Sequence, residues 1–214
     1  MKLTFTYEPE KDIWCLLTYG KTSSNSSEPT KIYEALLVES NNKPEETVAS
    51  RFIEDYLSKT NIHVLEYVTK YQSNWDRVAH EFQKKAENIF GVSLTNNVTA
   101  YLTVNTRCPY DIYGNIFFVS FSAYSAQKTA MHELWHFYTW YKFGVVWEKK
   151  LGKQKYNDLK EALTVLLNVE CKDILPEGVY DGGYPQHKEL RENILTFWQE
   201  ERNMEKLWAH LVTL

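Results

Sequence analysis

His132-Glu133-Leu134-Trp135-His136 is the stretch on which the reading of this chain turns. On an α-helix, positions i and i+4 lie one turn apart on one face, so His132 and His136 can aim both imidazoles at a single metal ion. Glu133 stands one residue round the wheel, beside that face. It reaches a water on the ion and not the ion itself, which is where a general base has to be. The surroundings separate this reading from chance spacing. Ala126, Thr129, Ala130, Met131, Leu134, Trp135, Phe137, Tyr138, Trp140 and Tyr141 cover nearly every side of the helical wheel, and a helix apolar all round is a buried one. Two histidines and a glutamate in a dry helix need partners, and a divalent ion such as zinc supplies them.

Working outward, the third ligand has to be found downstream. An extension to HExxHxxGxxH would require Gly at 139 and His at 142, and this chain has Thr139 and Lys142. Residues 155 to 168 read instead as a helix whose apolar stripe is Leu159, Ala162, Leu163, Leu166 and Leu167. Glu161 falls beside that stripe and points inward, where an unpaired carboxylate is costly. Glu148, Asp158, Glu170 and His187 also lie downstream, with Asp158 the nearest rival.

With these residues in place the chain resembles the gluzincin group of zinc peptidases, whose metal set is HExxH plus a later Glu. The resemblance covers roughly residues 95 to 190 and is specific at HExxH. It implies Zn2+ held by His132, His136 and Glu161, with Glu133 as general base. Glu161, Ala162 and Thr164 are also similar to the second motif of the thermolysin-like families. The Asp that braces a zinc-bound histidine there is Val165 here, so the brace is expected from Asp158 or Asn168. The stretch further resembles small intracellular gluzincins that cleave regulatory proteins. Peptide deformylases join an upstream Cys to HExxH within Glu-Gly-Cys-Leu, and Arg107-Cys108-Pro109-Tyr110 does not match that. Gluzincins commonly hold the developing oxyanion with a His or Tyr. The turn-rich loop Pro176 to His187 offers Tyr184, His187 and Tyr180, in that order.

Around this centre, Val98 to Asn105 and Asn115 to Phe121 read as strands joined by a loop holding Pro109, Asp111 and Gly114. The second strand runs into the HExxH helix. In the zincin arrangement that strand borders the cleft, and Ile116 to Phe121 is expected to pair with substrate through its open edge; the alternative is an internal strand with both edges filled. Residues 2 to 7 and 12 to 19 alternate like a hairpin, and Lys21 to Thr30 is a Ser-rich loop. Residues 45 to 59 and 62 to 90 carry helical spacing, the second ending at Gly91, and residues 188 to 213 close the chain as helix. The expected fold is α+β and zincin-like: a small mixed or antiparallel sheet, the HExxH helix, a Glu-bearing helix after it and a helical C-terminus. One domain over 1–214 is expected, with hairpin and helices to residue 91 and the catalytic core from 92.

Composition narrows the function further. With 214 residues and 43% hydrophobic side chains the chain can bury a sizeable core. The net charge of −4, with no Lys/Arg stripe, argues against nucleic acid. No run approaches the roughly 18 apolar residues of a membrane span, and Met1 to Trp14 lacks a signal-peptide core, so a cytoplasmic protein is expected. Cys15, Cys108 and Cys171 show no CxxC spacing and read as reduced thiols, which leaves the sequons at Asn25 and Asn97 without meaning. Gly20-Lys21-Thr22 lacks the earlier glycine of a phosphate loop, since position 15 is Cys. The expected activity is zinc-dependent hydrolysis of a peptide or protein substrate. Its rivals are a catalytically idle zincin-fold binding module and a zinc hydrolase of small amides.

Overall fold

The computed structural model describes residues 1–22 and 27–214. The sequon at Asn25 and the middle of the Lys21–Thr30 loop lie outside the described residues. The fold is α+β, with a small mixed sheet and a helical C-terminal part. The chain divides into two compact units of interleaved segments. One comprises Lys2–Asp76 and Asn96–Thr129; the other comprises Met1, Arg77–Thr95 and Ala130–Leu214. Among the described residues no helix is long and apolar enough to cross a membrane.

The first unit holds the sheet. Strands β1 (Leu3–Thr6), β2 (Val98–Thr103), β3 (Tyr110–Asp111) and β4 (Ile116–Ser120) are arranged in the order β1-β2-β4-β3. The pairs β1–β2 and β2–β4 are parallel, and β3 is antiparallel to β4. β4 is thus an inner strand. The expectation that Ile116 to Phe121 offers an open edge is corrected: β3 pairs Tyr110 with Phe117 and Asp111 with Ile116, and Phe118 N–H bonds the Pro109 carbonyl at 2.9 Å. The outer edge of β1 is covered by a side chain. Gln72 accepts from Phe5 N–H at 2.8 Å and donates to the Leu3 carbonyl at 3.2 Å, which satisfies backbone groups that an edge strand leaves open.

The helices of this unit are α1 (Pro9–Tyr19), α2 (Lys31–Glu39), α3 (Glu46–Lys59) and α4 (Val64–Asp76). The expected hairpin is corrected by α1. Pro9 opens it at a position that needs no N–H, Glu10 and Asp12 sit in its first turn, and Asp12, Cys15 and Leu16 are buried at helical spacing. Asp12 is buried because it ends β2: its Oδ1 accepts from Thr103 Oγ1 at 2.6 Å and from Val104 N–H at 3.0 Å. The continuous helix expected over 62–90 is two helices, α4 and α5 (Ala79–Phe90). α4 belongs to this unit and buries Tyr71 and Trp75; α5 belongs to the other and buries Phe82, Ala86 and Phe90. Seven residues separate Trp75 from Phe82, two full turns, so the apolar period runs on unbroken across the break. α5 ends, as expected, at Gly91.

The second unit contains α5, the HExxH helix from Ala130 onward, and the C-terminal helices. α6 spans Ala126–Thr139 and passes into one π-helical turn at Trp140–Gly144, then α7 (Val145–Leu151). α8 (Lys153–Leu163) tightens to a 3-10 turn at Thr164–Leu166 and ends in α9 (Leu167–Glu170). Its stripe of Leu159, Ala162, Leu163, Leu166 and Leu167 is buried as expected. A loop then leads to α10 (Lys188–Glu200) and α11 (Met204–Leu211). The single closing helix expected over 188–213 is broken by Asn203, which caps α11 by accepting from Lys206 N–H. Met131, Leu134, Trp135, Phe137 and Tyr138 are fully buried, while Tyr141, expected on the same buried helix, is exposed. Trp135 packs edge-on to Phe90 at 5.0 Å, and Phe143 stacks on Trp208 at 4.3 Å. Cys15, Cys108 and Cys171 form no disulfide.

Candidate metal centre

The buried α6 presents His132 and His136 one turn apart, and their Nε2 atoms face each other at 3.0 Å. α8 brings Glu161 to both. Its Oε2 is 3.5 Å from His132 Nε2, and its Oε1 is 3.3 Å from His136 Nε2. Four donors at about 2.0 to 2.1 Å round a tetrahedral ion stand about 3.3 to 3.4 Å from one another. The 3.0 Å between the nitrogens, and the 3.3 and 3.5 Å that end on different oxygens of the one carboxylate, are each near the edge length of a zinc tetrahedron. His132, His136 and Glu161 form the group of potential ligands found among the described residues. His136 is almost wholly buried, whereas His132 and Glu161 keep 17% and 18% exposure, so the centre has an open side.

His132 is held from behind by Asp181, a residue the sequence reading passed over. Its Oδ2 lies 2.7 Å from His132 Nδ1. A carboxylate there fixes the tautomer, keeping a proton on Nδ1 and leaving Nε2 as the nitrogen that would face an ion. Asp181 is itself bound on every side. Thr164 Oγ1 donates to Oδ1 at 2.9 Å and Arg191 Nη1 donates to it at 3.1 Å. Arg191 Nη2 donates to the Asp181 carbonyl at 2.6 Å. The Asn168 amide takes the main chain at both ends, accepting from Asp181 N–H at 2.7 Å and donating to its carbonyl at 2.9 Å. Gly183, at φ +63°, lets the loop fold down over Arg191; a side chain there would run into the guanidinium.

The expected braces are corrected accordingly. Asp158 does not reach the histidine pair but accepts from Gln154 and lies 3.0 Å from His187 Nε2. Asn168 acts at one remove, through Asp181. Of the proposed oxyanion donors, His187 is buried against Asp158 with Tyr184 edge-on to its ring at 5.8 Å, and Tyr180 is exposed. Glu133 is buried beside the two histidines on α6.

Electrostatics follow from these contacts in the metal-free protein. Burial works against a charge on His132, but the carboxylates of Asp181 and Glu161 outweigh it and raise its pKa to about 10. Burial lowers His136 to about 4, so it stays neutral. A proton on His132 Nε2 thus points at the lone pair of His136 Nε2, the place a cation would take. Burial favours the neutral acids of Glu161 and Asp181, yet the protonated His132 and Lys160 hold Glu161 far below the usual carboxylate range, and His132 and Arg191 do the same for Asp181. Buried Lys160, with Nζ 3.4 Å from Glu161 Oε1, is, after Asp181 and Arg191, the third charged residue of the site missed in the sequence. Compared with family models, with curated proteins and with solved structures, the chain has no significant match.

Proposed function

We propose that this protein is a zinc-dependent peptidase, with Zn2+ held by His132, His136 and Glu161 and Glu133 as general base. The observation that carries the reading is the convergence of two imidazole nitrogens and one carboxylate, with His132 braced by Asp181. Two His and one Glu with an open side is the donor set of hydrolytic zinc sites. When bound, zinc supplies Lewis-acid polarisation of the scissile carbonyl and brings the pKa of a coordinated water toward about 7.

The chain's own residues supply the rest. Asp181 holds His132 in the tautomer that leaves Nε2 free to ligate. Glu133 accepts a proton from the attacking water and returns it to the leaving amine. Tyr184 and His187, three and six residues beyond Asp181 on one loop, are the proposed donors to the oxyanion. The test is Glu133→Gln. It should keep stoichiometric zinc and the wild-type melting temperature and lose about 100- to 10,000-fold in the rate of cleavage of an unbiased peptide library. A wild type that holds zinc yet cleaves nothing would transfer the reading to a binding module.

A further inference from the structure

Lys160 carries its ammonium into the same buried ground as the ligands. Its side chain is 3% exposed, and Nζ stands 3.4 Å from Oε1 of Glu161. That oxygen is also 3.3 Å from His136 Nε2, so a fixed cation and a ligand imidazole share one carboxylate oxygen. Burial lowers the Lys160 pKa, and the carboxylates of Glu161 and Glu133 work against that and favour the ammonium. An ion taken up by Oε1 at about 2.0 to 2.2 Å would therefore lie no more than about 5.6 Å from the ammonium. Formal charges decide what this means. The carboxylates of Glu133, Glu161 and Asp181 meet three cations, Lys160, Arg191 and the protonated His132, and the charges cancel; a dication that displaces the His132 proton turns the sum to one net positive. Without an ion, Lys160 and the carboxylates attract. With an ion, Lys160 and the dication repel across a short distance with little water between them.

We propose that Lys160 is a resident counter-ion of the metal centre. It holds Glu161 in its ligating position when no ion is bound, and it weakens the hold on the ion once bound, so that the centre is assembled in advance and its metal is exchangeable. This rests on the reading of His132, His136 and Glu161 as ligands. Lys160 is a positioning residue, acting through Glu161.

The experiment measures zinc affinity by competition with a chromophoric chelator in the full-length wild type and in Lys160→Met, Lys160→Arg and Glu161→Ala. Lys160→Met keeps the length of the side chain without its charge and should bind zinc at least 10-fold more tightly. Lys160→Arg keeps the charge and should stay within about threefold of wild type. The metal-free melting temperature of Lys160→Met should fall while that of its zinc form does not. Lys160→Met affinity equal to or weaker than wild type, with Glu161→Ala having lost zinc, overturns the proposal and leaves the ligand reading standing. Glu161→Ala binding zinc like wild type would instead remove the ligand reading. If Lys160→Met folds only with zinc present, its zinc release into excess chelator is timed: slower release than wild type supports the proposal, and equal or faster release overturns it.

Discussion

Asp181 makes the shortest contact to a candidate ligand, 2.7 Å to His132 Nδ1, and its own position is over-determined by Thr164, Asn168 and Arg191. Asp181→Asn should therefore weaken zinc binding about 10- to 100-fold, by loosening the imidazole without removing a ligand. Glu161→Ala should cost several orders of magnitude, and Asp158→Ala should leave the affinity within about threefold, since Asp158 serves His187. Isothermal or chelator-competition titration ranks the three, and Asp158→Ala ranking above Asp181→Asn would refute the assignment. The His132 proton gives a second prediction at this scale. Its folded pKa, about 10, is raised above the ordinary 6.5. In the metal-free protein the stability it contributes is fully present below about pH 6.5 and is lost as pH rises through 10. Zinc competes with that proton, so uptake at pH 7 should release about one proton per ion. Zinc titrations in buffers of different ionisation enthalpy count it, and a count of zero would sink the proton-for-metal exchange.

At the scale of elements, the sequence was legible where burial follows a local period. The Glu161 helix with its leucine stripe and strand β2 carry their period within a dozen residues, while the HExxH helix and β4 are legible as runs buried on nearly every side. Alternation misled at 12 to 19, where three buried residues at i, i+3 and i+4 lie under a superficially period-2 string and Pro9 with two early acids marks a helix start. β4 became an inner strand because two residues, Tyr110 and Asp111, return beside it, and no periodicity is visible in a pair. Asp181 escaped notice because its partners lie 10 to 49 positions away, and Lys160 because a lysine beside a glutamate on a helix reads as a solvated face. The junction of α1 with β2 makes its own prediction. Burial raises Asp12 to about 6, against an ordinary 3.8, although Thr103 and Val104 pull it back. A raised carboxyl pKa means stability present below about pH 4 and lost as pH rises through 6, on the order of 3 kcal/mol. Asn at position 12 can keep both hydrogen bonds to Oδ1, so Asp12→Asn should gain on wild type between pH 4 and 7 in urea unfolding. A constant difference across that range would contradict the assignment.

For the whole molecule, the candidate ligands and their brace come from residues 132 to 181, so an ion bound there would stabilise the fold by mass action. Zinc at 100 times its dissociation constant should add about 2.7 kcal/mol to stability. Hydrogen-exchange protection should rise most in α6, α8 and the loop from Asp181 to Arg191; a gain confined elsewhere would place the ion at another site. The order of synthesis adds a different constraint. Leu3 pairs with Val98 and Thr6 with Tyr101, so β1 must wait for a partner made 95 residues later, 98 less 3. At about 5 to 20 residues per second, that strand spends several seconds outside the ribosome with its apolar Leu3 and Phe5 unclaimed by any sheet. A chain halted before residue 98 has every helix of that unit through α4 but no strand for β1 to join, and is a natural client for whatever chaperone meets it at the exit tunnel.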